Sequence, residues 1–266
     1  MPMKCLQLSL ILTIPFILNA CCSHKIEIVA HRGASGLETE NTIEAVQKAF
    51  ELNSDAAEID IWRTIDDSLI VFHDRNTSRL SDDSLVIPES TYEELRKLRL
   101  DRNRQIPTLS EVLKILPPDK RLFIEIKCCW EKGDTGNVFP MLSDIVNKTQ
   151  KRDQVAIISF NPQKLKDAAA YLPDVPRYWL LWQEQSPGEI IKTAQACNVN
   201  GIDIHYSLLN EALMREVKKN NLKVYVWTVN SAGEVRNIIN KYGGIEGITT
   251  DVPDLIMHEL KTDVNK

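Results

Sequence analysis

Beyond its first two dozen residues the chain alternates between short β-rich apolar runs and longer amphipathic ones, and this rhythm constrains its fold more than any other feature. Strands are expected at 26–30, 56–62, 69–72, 121–126, 154–159, 177–181, 201–204, 222–228 and 247–250. Helices are expected at 42–53, 108–116, 137–151, 162–172, 187–198, 208–220, 231–241 and 253–261. The third strand follows the second after only residues 63–68, whereas a parallel crossover needs about a dozen residues. Residues 69–72 are therefore expected to form an antiparallel β-hairpin excursion after strand 2. Eight strand-helix units remain, the α/β pattern of a (β/α)8 TIM barrel.

The 266 residues are 43% hydrophobic and 26% charged, which is enough for one sizeable core. The net charge of -5 is spread along the chain with no basic stripe, so nucleic acid is not an expected partner. The N-terminus differs from the rest. Lys4 is the only charge before an apolar run from Leu6 to Leu18, followed by Asn19, Ala20 and Cys21. This is the layout of a secretory leader, and Leu18-Asn19-Ala20-Cys21 resembles a bacterial lipobox. Residues 1–20 are thus expected to be a lipoprotein signal peptide and 21–266 a single exported domain, anchored to a membrane surface through lipid on Cys21. The six cysteines form no disulfide framework: Cys128 and Cys129 are adjacent, too close for unstrained bridge geometry.

In barrels of this kind the active site gathers at the C-terminal ends of the strands. Those ends carry His31-Arg32, Glu58 with Asp60, Glu125 with Lys127, Ser159-Phe160, Trp182, His205, Trp227-Thr228 and Thr250-Asp251. Glu58 and Asp60 lie two apart on a strand and share a face, and Glu125 with Lys127 repeats the spacing. Carboxylates in apolar strands are costly unless paired or metal-bound. A salt bridge from Lys127 to one acid is the plainer account of any single pair. Three acids against one lysine, however, leave charge for a hard divalent cation, Mg²⁺ or Ca²⁺. His31 and His73 are expected at the same mouth, where imidazoles can act as general acid and base, and Arg32 offers a planar fork suited to phosphate.

These motifs together resemble the glycerophosphodiester phosphodiesterase family. The resemblance rests on His31-Arg32-Gly33, Glu40-Asn41-Thr42, Glu58-Ile59-Asp60, His73-Asp74, Glu125-Ile126-Lys127, Trp227-Thr228 and Thr250-Asp251-Val252-Pro253, ordered across residues 28 to 254. It implies metal-dependent hydrolysis of glycerophosphodiesters to glycerol 3-phosphate and an alcohol. Glu58, Asp60 and Glu125 would hold the cation. His31 would be the first base and His73 the first acid. Arg32 and Lys127 would hold the phosphate, with Glu40 close by and Trp227 walling the pocket. Thr39 stands where the family usually has proline, a change expected to alter only turn stiffness. A phosphodiesterase for lysophospholipids or phosphoinositides, a sugar-converting metal barrel and a non-catalytic lipoprotein that binds phosphate ligands are the alternatives.

Overall fold

The computed structural model describes residues 25–127 and 138–263. The expected leader (residues 1–20), Cys21 and the Cys128–Cys129 pair lie outside the described residues.

All nine expected strands form: β1 (Glu27–Ala30), β2 (Ala56–Arg63), β3 (Leu69–Val71), β4 (Arg121–Ile126), β5 (Val155–Ser159), β6 (Arg177–Leu181), β7 (Gly201–His205), β8 (Lys223–Trp227) and β9 (Gly247–Thr250). Parallel pairing runs β1-β9-β8-β7-β6-β5-β4-β2 and closes through β1–β2, so eight strands make a ring without free edges. Strand β3 pairs antiparallel with the upper end of β2, Ile61 opposite Val71. The Glu58 and Asp60 carbonyls accept from Gly33 and Phe72 respectively, whereas that of Ile61 accepts from Lys127. Alternating carbonyls point to opposite edges. The excursion β3 therefore covers the edge of β2 that the four-residue β1 is too short to reach.

The helices are α1 (Ile43–Glu51), α2 (Tyr92–Lys97), α3 (Leu109–Ile115), α4 (Phe139–Lys148), α5 (Pro162–Tyr171), α6 (Pro187–Ala196), α7 (Glu211–Lys219), α8 (Ala232–Tyr242) and α9 (Pro253–Asp263). Several begin one to three residues later than expected because the polar residue in front is an N-cap with extended backbone. Thr42, Thr108 and Asn210 each accept a hydrogen bond from the first turn. Helix α2 was not expected. It belongs to a small cap between β3 and α3 with its own apolar cluster, in which Trp62, Ile70, Phe72, Ile87, Leu95 and Ile106 are buried.

Period-two alternation divides each strand. On β2 the residues Ala57, Ile59 and Ile61 pack outward against the helices, as do Leu122, Ile124 and Ile126 on β4. The inward rows change character along the axis. At the N-terminal end Phe123, Tyr178 and Tyr225 stack with ring centroids 4.7 to 5.8 Å apart. The Tyr225 hydroxyl donates to Glu27 at 2.7 Å, and Arg121 reaches the same carboxylate at 2.8 Å. A Cβ at Gly247 would lie 2.6 Å from the Tyr225 ring, so glycine makes room for this plug. The floor is filled, and the ionisable ends of the rows face the other mouth.

Candidate active site

The loop after β1 is bent by two residues with positive φ, Arg32 (51°) and Gly33 (78°). A non-glycine residue in this region costs about 1–2 kcal/mol, offset here by the bonds Arg32 makes. Its backbone N–H donates to Glu58 Oε2 at 2.9 Å, its Nη1 donates to Glu40 at 2.9 Å, and its Nε lies 3.7 Å from Asp60. At Gly33 a Cβ would stand 2.6 Å from the Ala45 carbonyl carbon on α1. Gly33→Ala is expected to lower stability by about 1–3 kcal/mol in urea unfolding; an unchanged midpoint would contradict this geometry.

Glu58, Asp60 and Glu125 are buried, with one carboxylate oxygen from each lying within 4.8 Å of the other two. Lys127 Nζ bridges Asp60 and Glu125 at 2.8 Å each, so the lysine salt bridge and the acid cluster coexist. Asn41, held at φ 57°, donates from Nδ2 to Asp60 Oδ2 at 2.7 Å and accepts from the Asp60 N–H at 3.1 Å. Burial and the neighbouring carboxylates Asp60 and Glu125 push Glu58 well above the carboxylate range. Burial also raises Glu125, to about 7, against the pull of Lys127. At Asp60 burial acts upward but is outweighed by Lys127, His73 and Arg32, which hold it low. An all-oxygen cluster still short of positive charge fits a hard divalent cation.

Each histidine is held by a carboxylate. His31 Nδ1 lies 2.7 Å from Asp251, which also accepts from Ser35 at 2.7 Å and Asn230 at 2.6 Å. His73 Nδ1 lies 2.7 Å from Asp74, which accepts from Arg79 at 2.6 Å. A carboxylate on Nδ1 selects the tautomer that leaves Nε2 to exchange protons. Burial lowers His73, although Asp60 and Asp74 oppose it. The two histidines share one cleft of about 170 Å³ with Arg32, Glu58, Glu125, Lys127, Ile158, Phe160, Leu180, Asp203 and Trp227.

Trp227 lies in the cleft lining, fixed by its Nε1 donating to the Asp203 carbonyl at 3.1 Å and by edge contact with Phe160. Glu40 lies beside the cleft, its carboxylate accepting from both Arg32, which lines it, and Arg79. It orients Arg32 and ties it to the Arg79–Asp74–His73 chain. Thr39 does more than alter stiffness: its N–H donates to Glu38 and its hydroxyl to the Asp101 carbonyl in the cap, bonds proline could not donate. Residues given no role in the sequence are Asn41, Arg79, Asn230, Asp203 and the carboxylates of Asp74 and Asp251. The ordered motifs flagged both carboxylates, but their partners emerge only on folding.

Cleaving a phosphodiester requires cations beside the phosphoryl oxygens and proton-exchanging groups flanking the phosphorus. This mouth gathers residues of both kinds, and the protein is a phosphoric diester hydrolase built on a (β/α)8 barrel. The model of the "Glycerophosphoryl diester phosphodiesterase family" matches residues 31–255. A glycerophosphodiester phosphodiesterase of Caldanaerobacter subterraneus is 30% identical over 89% of this chain and 98% of its own. Among solved structures, a glycerophosphodiester phosphodiesterase of Parabacteroides distasonis is 25% identical with a TM-score of 0.77, covering 90% of this chain and 98% of that one. A phosphodiesterase of Oleispira antarctica, solved with its product sn-glycerol 3-phosphate, has a TM-score of 0.81 at 24% identity, covering 88% and 96%. The chain belongs to the glycerophosphoryl diester phosphodiesterase family.

Proposed function

We propose that this protein hydrolyses glycerophosphodiesters to glycerol 3-phosphate and an alcohol, using one divalent cation, Mg²⁺ or Ca²⁺, and two histidines. The observation that carries this is a three-carboxylate cluster, two members of which, Glu58 and Glu125, line one cleft together with two histidines each fixed through Nδ1. Glu58, Asp60 and Glu125 would hold the cation, whose Lewis acidity neutralises phosphoryl charge. Arg32 and Lys127 hold the remaining phosphoryl oxygens. His31 accepts the proton of the glycerol hydroxyl next to the phosphate, and that oxygen attacks phosphorus. The bond from phosphorus to the alcohol breaks, and His73 protonates the departing oxygen. Water then opens the cyclic phosphate with the histidine roles exchanged. The phosphate anion beside His73 opposes the burial that lowers it, favouring the protonated ring at the moment it is needed.

The family match and the likeness to a glycerophosphodiester phosphodiesterase support a water-soluble glycerophosphodiester as substrate, with a lysophospholipid or phosphoinositide as the alternative. Glycerophosphocholine, glycerophosphoethanolamine, glycerophosphoinositol and a lysophospholipid, assayed side by side, test this. Turnover confined to the lysophospholipid would replace the proposed substrate class.

Cation binding is expected to depend on pH. Glu125, raised to about 7, must lose its proton to become a ligand. Glu58, also raised by burial and by its carboxylate neighbours, adds to the same dependence. Cation affinity should therefore rise with pH from 6 to 8, with protons released on binding. Titration calorimetry at pH 6 and pH 8 checks this, and equal affinities would contradict it.

We propose further that residues 1–20 are removed and that Cys21 carries the lipid anchor of an exported protein, from the leader pattern of Lys4, Leu6 to Leu18 and Cys21. Palmitate labelling that survives in Cys21→Ala would overturn it.

A further inference from the structure

Asp203 stands on β7 with 2% of its surface exposed and its Oδ1 wholly enclosed, without a hydrogen-bond partner. Buried polar atoms in folded proteins are nearly always bonded, so an orphaned one in a ligand cleft calls for an occupant. No cation acts on Asp203 among the described residues; the charge it feels is that of Glu125. The two nearby cations are committed elsewhere, Arg32 to Glu40 and Asp60, and Lys127 to Asp60 and Glu125.

The ring order puts β7 four strands from β2 in either direction, so Asp203 faces the Glu58–Asp60 row across the barrel. Its neighbours in the cleft lining include the apolar Ile158, Leu180 and Trp227. A phosphate there would meet like charge and no donor fork. A hydroxyl suits it, because a carboxyl group accepts from a hydroxyl when ionised and can also donate to one when protonated. On the reading in Proposed function, the substrate's phosphate goes to Arg32, Lys127 and the cation, and the hydroxyl next to it goes to His31. The terminal glycerol hydroxyl is left over, on the side of the cleft away from the phosphate.

We propose that Asp203 binds the terminal hydroxyl of the substrate's glycerol group and so selects glycerol diesters over diesters that lack it. The inference rests on the proposed glycerophosphodiesterase activity. The test compares kcat/KM for glycerophosphocholine with that for 2-hydroxypropyl phosphocholine, which keeps the attacking hydroxyl but has hydrogen in place of the terminal one. The wild-type protein is expected to prefer the parent by about 10- to 100-fold, because the analogue leaves the buried carboxyl unpaired. In Asp203→Ala the preference should collapse toward unity, whereas Asp203→Asn should retain part of it. Asp203→Val, apolar and close in volume, serves if the alanine variant does not fold. A merely structural Asp203, or one that holds only a buried water, leaves the ratio unchanged in these variants, and that result overturns the proposal. Absence of wild-type turnover would overturn the activity and this inference together, whereas turnover with an unchanged ratio would overturn this inference alone.

Discussion

His31→Ala and His73→Ala are each expected to lower kcat by about 10²- to 10⁴-fold, the usual contribution of a positioned general acid or base. The fold should survive, because both rings line the cleft rather than the apolar core. Each histidine exchanges a proton in both half-reactions, so the double variant should lose little more than the worse single one. Replacing Asp251 or Asp74 by Asn should weaken catalysis through the tautomer rather than through binding, because an amide does not enforce the Nδ1 proton as a carboxylate does. Steady-state kinetics on glycerophosphocholine measure all of this. Full activity in either histidine variant would remove that ring from the mechanism.

Chelation is expected to lower turnover by about 10³-fold or more, since the Lewis-acid contribution is several kcal/mol and each 1.4 kcal/mol is a factor of ten. Restoration should follow the addition of Mg²⁺ or Ca²⁺. Lys127 bridges Asp60 and Glu125, and Arg32 pairs with Glu40 and lies 3.7 Å from Asp60; a cation on these carboxylates would compete for them and free both side chains for phosphate. Loss of the ion should therefore raise KM as well as lower kcat. Glu58→Gln separates the two causes, because Lys127 bridges the other two cluster carboxylates, Asp60 and Glu125, and the glutamine keeps an acceptor for the Arg32 N–H. Its cation affinity should fall in calorimetry and its activity should recover partly at high cation concentration. Activity insensitive to chelator in the wild-type chain would argue against a catalytic ion.

The barrel was legible because its signal repeats. Each strand is a short apolar run with an ionisable or aromatic stop, and even the excursion β3 followed from the shortness of its connection to β2. The cap was not. Helix α2 is a single short turn-and-a-half whose local mark is the capping box Thr91 with Glu94, too small for hydrophobic periodicity to register. Within the site, the residues that act through sequence-local spacing could be read: Glu58 with Asp60, and Glu125 with Lys127. Those whose role depends on ring closure could not. Asp251 meets His31 across 220 positions because β9 pairs with β1. Asp203 faces the acids only because β7 is the strand opposite β2. Glu40 was flagged by its motif, whereas its contact with Arg79, 39 residues on, which makes it a clamp between two guanidinium groups, emerges only on folding.

Phosphorus NMR of glycerophosphocholine incubated with the purified protein tests the central claim most directly. The predicted result is a glycerol 3-phosphate resonance that grows with Mg²⁺ or Ca²⁺ present, vanishes with chelator and vanishes in His73→Ala. Unchanged substrate under every cation condition, or release that continues in chelator and in the histidine variant alike, would contradict it.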